Sequence, residues 1–249
     1  MRFDVLTLFP EMFGAVTQYG VSGRAFASGI WHLHCWNPRD FATRKMGYID
    51  DRPFGGGPGM VMQAAPLSAC LKQVDSQLGT RQHRILLSPA GKPLQQSDIR
   101  RLASYSGLSL VAGRYEGVDQ RFIDCEIDEI FALGDIVVSG GELPAMMLID
   151  AILRWLPGVL QDEQSAQQDS FVDGLLDCPH YTRPESWEGL RVPSILLGGD
   201  HAAIAIWRRQ QALIATATQR PDLLERARMQ GLLSADDERA IATSPLFKD

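Results

Sequence analysis

Three apolar runs constrain this chain most: RILLS (84–88), LSLVAG (108–113) and EIDEIFAL (126–133). Each is too short for a stable helix and reads as a buried strand. Each runs into a glycine-bearing loop: LLSPAGKPL (86–94), LVAGRYEGVD (110–119) and LGDIVVSGGELP (133–144). Upstream, FDVLTLF (3–9) and IWHLHCW (30–36) read as two more strands, and the latter alternates with period two. Helical patterns lie between and after them. They are APLSACLKQVDSQL (65–78), PLQQSDIRRLASYS (93–106, with Pro93 near its start) and the strongly apolar PAMMLIDAILRWL (144–156). The β-α-β-α order predicts an α/β fold with a mostly parallel sheet and helices on both faces. In such sheets ligands bind at the carboxyl ends of the strands, where all three loops fall.

The loops carry glycine where backbone must bend or approach a ligand. The dinucleotide pattern GxGxxG and the phosphate-loop pattern GxxxxGK[ST] occur in none of them, and their centres are poor in basic residues. A pyrophosphate site is therefore disfavoured. The ordinary alternative, that the glycines only turn the chain, weakens when three such loops end successive strands. RPFGGGPGM (52–60) holds six Gly or Pro in nine residues, so it is neither helix nor central strand. Composition alone favours a plain surface loop there over a substrate-facing lid.

The 249 residues, 45% of them hydrophobic, suffice for one large or two modest domains. No run of eighteen apolar residues exists, so no membrane span is expected. Asp4 and Glu11 interrupt the N-terminal apolar stretch, so no signal peptide is expected and cytoplasmic residence follows. Four scattered cysteines form no CxxC pair and read as reduced thiols. His32 and His34 share a strand face without a third ligand nearby, so no metal site is expected. The net charge of −6 opposes broad phosphate binding, but Arg39–Arg44–Lys45 and Arg208–Arg209 form local basic clusters. Beyond residue 160 the polar QDEQSAQQDS (161–170) shows no period and reads as a mobile linker. Residues 176–249 lack convincing strands. They hold helices at 202–219 and 220–230, then a Ser234/Asp237 capping box for a third.

LTLFPEMF, RPFGGGPGMVM, LLSPAGKPL, AGRYEGVDQR, LGDIVVSGGELPAM, QDSF and LLDCPHYTRPESWEG occur here in that order. Together they resemble the bacterial tRNA (guanine-N1)-methyltransferases, a family of the SPOUT class, over roughly residues 1–215. The resemblance implies a deep trefoil knot in the C-terminal part of the sheet, followed by a small helical domain. It implies a SPOUT domain over 1–160 that binds S-adenosyl-L-methionine, a linker over 161–175 and a helical tRNA-binding domain over 176–249. It further implies an antiparallel homodimer with sites at the subunit interface. The reaction it implies is methylation of the guanosine immediately 3′ of the anticodon, position 37. Mg²⁺ accompanies the family's catalysis, although no dedicated ligand cluster is visible in this sequence.

By the same resemblance the donor contacts are Leu87, Ser88, Pro89, Gly113, Tyr115, Glu116, Leu133, Gly134, Asp135, Ile136, Val137, Val138, Gly140, Gly141 and Pro144. The family usually has Tyr within LGDYVLSGGE, where this chain has Ile136, and Val138 also departs from it. Gly198-Gly199-Asp200-His201 departs from the family's more usual Ser-Gly before Asn or Asp.

Guanine N1 carries a proton, so its methylation needs a base within hydrogen-bond reach. The charge that then spreads to O6 needs a cation or N–H donor. Asp169 in QDSF is the family's base by position; taken alone it is an ordinary solvated linker acid. Arg154 suits O6, though Asp150 one turn earlier offers a plain helix ion pair. Glu116 suits the donor's amine or the guanine, against a surface pairing with Arg114 or Arg121. For the tRNA, Ser170, His180, Tyr181, Arg183 and Arg208 are the candidates, with Arg191 and Arg209 beside them. Two other classes stay open on the residues alone. The glycine loops motivate a Rossmann-type oxidoreductase, and the same scaffold could serve as a noncatalytic RNA-binding module.

Overall fold

The computed structural model describes residues 1–43, 45–162 and 164–243. The chain forms two compact units, residues 1–163 and 164–249.

The first unit is built on a five-stranded sheet. In chain order its strands and helices are β1 (Arg2–Leu6), α1 (Gly14–Thr17), α2 (Gly20–Ala27), β2 (His32–Trp36), β3 (Asp50–Asp51), β4 (Val61–Met62), α3 (Ala64–Leu78), β5 (His83–Pro93), α4 (Gln96–Leu102), β6 (Gly107–Ala112), α5 (Gln120–Glu126), β7 (Glu129–Ala132) and α6 (Glu142–Leu153). The sheet order is β2-β1-β6-β5-β7, and every pairing in it is parallel. β3 and β4 form a separate antiparallel pair that closes the RPFGGGPG loop.

Alternation sends successive strand side chains to opposite faces. Phe3, Val5, Ile85, Leu87, Leu108, Leu110 and Phe131 meet Ala145, Leu148, Ile149 and Ile152 of α6, with Ile99 and Leu102 of α4. Leu6, Leu86 and Val111 meet Leu67, Leu71 and Val74 of α3 and Phe122 of α5 on the other side. Helices therefore cover both faces, as the alternating element order requires. Asp4 is buried on the second face, where it accepts from Arg2 and from Trp36 Nε1 at 2.9 Å.

Four expectations are corrected. RILLS is the first half of an eleven-residue strand. After Leu87 pairs Phe131, the chain bulges and rejoins β7 with Lys92 opposite Phe131 and Pro93 opposite Ala132. Pro93 therefore ends a strand and does not start a helix. The following helix is only Gln96–Leu102, with the Asp98 carboxylate accepting from Gln95 N at 3.2 Å across its first turn. Within the aperiodic 161–170, Gln164–Gln168 forms one short helix, α7, with Ala166 buried. Residues 176–249 do hold strands, a two-residue hairpin of β8 (Ser186–Trp187) and β9 (Leu190–Arg191).

The rest of the second unit is helical: α8 (His201–Gln219), α9 (Pro221–Met229) and α10 (Ala235–Thr243), around Leu175, Leu213, Leu224 and Ala227. Asp200 caps α8 by accepting from Ala202 N and Ala203 N. The Ser234/Asp237 box is present in both directions, at 2.9 and 3.1 Å. No helix among the described residues is long and apolar enough to cross a membrane.

Candidate active site

β6, β5 and β7 are adjacent in the sheet, so their carboxyl ends lie side by side. Those ends feed 113–119, the bulge at 88–91 and the loop 133–141, which gathers nearly all the residues singled out for the donor. The segments touch through backbone. Gly141 N donates to Gly113 O at 2.8 Å. A Cβ on Gly141 would stand 2.7 Å from Ala112 Cα, and one on Gly91 would stand 2.6 Å from Phe131 C. Both positions must be glycine because two backbones approach too closely for a side chain.

The 133–141 loop leaves the sheet at Ala132 and forms no strand, so the apolar run through Val138 is not the strand end it resembles in sequence. Ile136 and Val137 are 66% and 86% exposed, and Val138 and Leu143 are exposed as well. An apolar loop outside any strand ladder suits a mostly neutral ligand.

Arg114, inserted here, is already ion-paired. Its Nε lies 2.8 Å from Glu142 Oε2, and Glu142, the first residue of α6, is fully buried. Thr7 Oγ1 donates to the other carboxylate oxygen at 3.0 Å. Arg114 Nη1 donates to Ser139 O at 3.1 Å, and the guanidinium sits over the Phe9 ring at 4.4 Å. A Cβ on Gly140 would run into this guanidinium. The sequence offered no signal for this pair, because 28 positions separate its members.

Glu116 projects toward the glycine loop. Its N–H donates to Met60 O at 2.9 Å, and its side chain occupies the space a Cβ on Gly59 would need. Met62 N and Asp119 N continue the contact, bonding Gly117 O and Met62 O. The C-terminal end of the RPFGGGPGM loop and β4 are thus laced along 116–119, while Phe54 to Gly57 stand exposed. Neither arginine expected to neutralise Glu116 is placed for it: Arg114 pairs with Glu142, and Arg121 with Asp119 at 2.6 Å. Tyr115 holds a left-handed backbone, φ 62°. Burial first, then the nearby Asp50 carboxylate, push its phenol above the ordinary range, so it stays protonated near neutrality. Arg154 stands at the C-cap of α6, its N–H directed to Asp150 O at 3.4 Å.

In the second unit Asp169 follows α7 and is half-buried. Its carbonyl accepts from Val172 N, Phe171 N donates to Leu175 O at 2.6 Å, and Ser170 Oγ accepts from Asp177 N at 2.9 Å. These bonds knit a turn from 169 to 177. His180 Nε2 lies 2.9 Å from Asp177, and Tyr181 packs beside Trp207. Arg183, Arg191 and Arg208 are exposed. Arg209 is not available to phosphate in the way its position suggested, since it pairs with Asp173 and with Asp237. Arg44 lies outside the described residues.

A family model described as tRNA (Guanine-1)-methyltransferase TrmD matches residues 1–226. The chain belongs to this family. A tRNA (guanine-N(1)-)-methyltransferase of Ralstonia nicotianae is 56% identical over 245 residues, covering 98% of this chain and 94% of the relative. Its counterpart in Cupriavidus taiwanensis is 58% identical over 246 residues, covering 97% and 95%. One from Burkholderia mallei is 56% identical over 247 residues, covering 98% and 94%. The family match takes in both units, from the strand ends through α8.

Proposed function

We propose that this chain transfers a methyl group from S-adenosyl-L-methionine to N1 of the guanosine immediately 3′ of the tRNA anticodon. Besides family membership, one observation carries this reading: three glycine-bearing loops meet at the carboxyl ends of three adjacent parallel strands. The apolar, non-strand 133–141 loop and the pairing of Arg114 with Glu142 fit an adenosine with an amino-acid tail better than a pyrophosphate. S-adenosylmethionine, when bound, supplies an electrophilic sulfonium methyl.

Leu87, Ser88, Pro89, Leu133, Gly134, Ile136, Val138 and Pro144 wall the donor. Gly113, Gly140 and Gly141 bring backbone close to it. The close backbone approach at Gly141 supports a threaded, knotted chain, because a segment passing through a loop leaves no room for Cβ. Asp169 takes the N1 proton, Arg154 stabilises the charge that reaches O6, and Glu116 holds the guanine or the donor's amine. Ser170, His180, Tyr181, Arg183 and Arg208 face the tRNA. Leu143 and Met147 leave an exposed apolar stripe on α6, which supports a homodimer with the sites at its interface. A tRNA substrate fits residence in the cytoplasm. Among the described residues no group of three His, Cys, Asp or Glu is arranged to hold a metal.

The test is tritiated methyl transfer to tRNA transcripts with G or A after the anticodon. Label should enter only the G transcript, and equal labelling of both would sink the specificity. Asp169→Asn should lose roughly 10²–10⁴-fold in rate while keeping both ligands' affinities. A noncatalytic module would lose nothing. Calorimetric heat with NAD alone would restore the oxidoreductase alternative.

A further inference from the structure

The Arg114–Glu142 pair does more than satisfy a buried charge. The pair joins three segments: the end of β1 through Phe9 under the Arg114 guanidinium and Thr7 on Glu142, the end of β6 through the Arg114 backbone, and the Ser139-Gly140-Gly141 turn before α6. Two strands of chain are doubly tied here, by Gly141 N to Gly113 O and by Arg114 Nη1 to Ser139 O. Glu142 opens a twelve-residue helix, whose N-terminal dipole favours its negative charge. Two residues past Arg114 stands Glu116. Between them Tyr115 holds its left-handed backbone, a conformation that persists in a non-glycine residue only when its neighbours over-determine it. Arg114 fixes one side of Tyr115, and the Glu116 N–H to Met60 O bond fixes the other.

From this we infer that Arg114 and Glu142 are positioning residues that lock the 133–141 loop to Glu116, so that donor binding and guanine placement are set by one buried ion pair. The inference rests on the proposed reading that 133–141 holds the methyl donor. A merely neutralising cation would need only its charge at Glu142. A positioning residue also needs the fork that reaches Ser139 O, which lysine lacks.

The experiment compares Arg114→Lys, Glu142→Gln and the double variant with wild type. Circular dichroism and thermal melting first show which are folded. Calorimetry then gives the S-adenosylmethionine and tRNA affinities, and single-turnover methylation gives the rate at saturation of both. Folded Arg114→Lys should bind S-adenosylmethionine about tenfold more weakly and react about tenfold more slowly even when saturated. Its tRNA affinity should stay within twofold. Glu142→Gln should behave alike, and the double variant should lose no more than the worse single. If Arg114→Lys does not fold, Glu142→Gln carries the same measurements. Saturated rates and donor affinities within twofold of wild type in the folded variants overturn the inference, as do additive losses. Wild-type protein that binds no S-adenosylmethionine overturns the functional reading, and the inference with it.

Discussion

Gly140 and Gly91 look alike in sequence, each set in a loop at a strand end, yet different neighbours forbid their side chains. A methyl on Gly140 meets the Arg114 guanidinium, which is held but is still the end of a long side chain. A methyl on Gly91 meets the backbone of Ile130 and Phe131, which cannot move without parting β5 from β7. Gly140→Ala should cost about 1–3 kcal/mol, the usual range for overpacking. Gly91→Ala should cost more. Urea midpoints of the two variants check the order, and equal midpoints would show that the sheet edge yields as readily as the arginine. Gly140→Ala should also weaken donor affinity in parallel with Arg114→Lys, because both displace the same guanidinium.

The second unit shows how one acid can hold several elements. Asp237 closes the N-terminus of α10 by accepting from Ser234 N, and it accepts from Arg209 of α8, which also reaches Asp173. The Arg209 hydrogen bonds, chiefly, hold the Asp237 carboxyl below its ordinary value, with Ser234 adding to the effect and burial opposing it. A depressed carboxyl contributes its stability above the unfolded pKa, about 3.9, and loses it as pH falls through the lower folded value. Asp237→Asn should therefore destabilise by about 1.5–3 kcal/mol from pH 7 down to pH 5, the range for hydrogen bonds to charged groups. The gap from wild type should close below about pH 4, followed by denaturant midpoints across that range. This element was legible beforehand, since Ser and Asp three apart before a helical run is a local signature. The sheet was legible for a related reason: short buried runs alternating with helices leave few topologies. β5 was not read to its end, because SPAGKP has turn composition and is held in the sheet only by its return to β7. The helix at 164–168 and the 186–191 hairpin are too short to show a period. At the site, glycine spacing marked the loops, but pairing by proximity gave Arg114 to Glu116. Its true partner is brought to it by α6.

At the scale of the whole molecule, the charge and the proposed substrate pull apart. A chain with net charge −6 repels a polyanion at long range, so tRNA must be held by a few local contacts rather than by a basic field. Arg183, Arg191 and Arg208 are exposed, and among the described residues no salt bridge engages them, unlike Arg209, Arg220, Arg228 and Arg239, which are bound to carboxylates. Counterion release then limits how steeply salt can weaken the complex. Three phosphate contacts to a single-stranded loop give a slope of about −2 in log K against log salt, roughly −0.7 for each contact. Arg183→Ala, Arg191→Ala and Arg208→Ala should each flatten that slope by about 0.7 and weaken binding at low salt. Arg220→Ala should leave the slope unchanged, since its guanidinium is matched by Asp222 at 2.8 Å. A titration of tRNA affinity from low to moderate salt decides it. A wild-type slope steeper than about −4 would mean that other cations bind the tRNA, and the Arg39 cluster of the first unit would be the next surface to substitute.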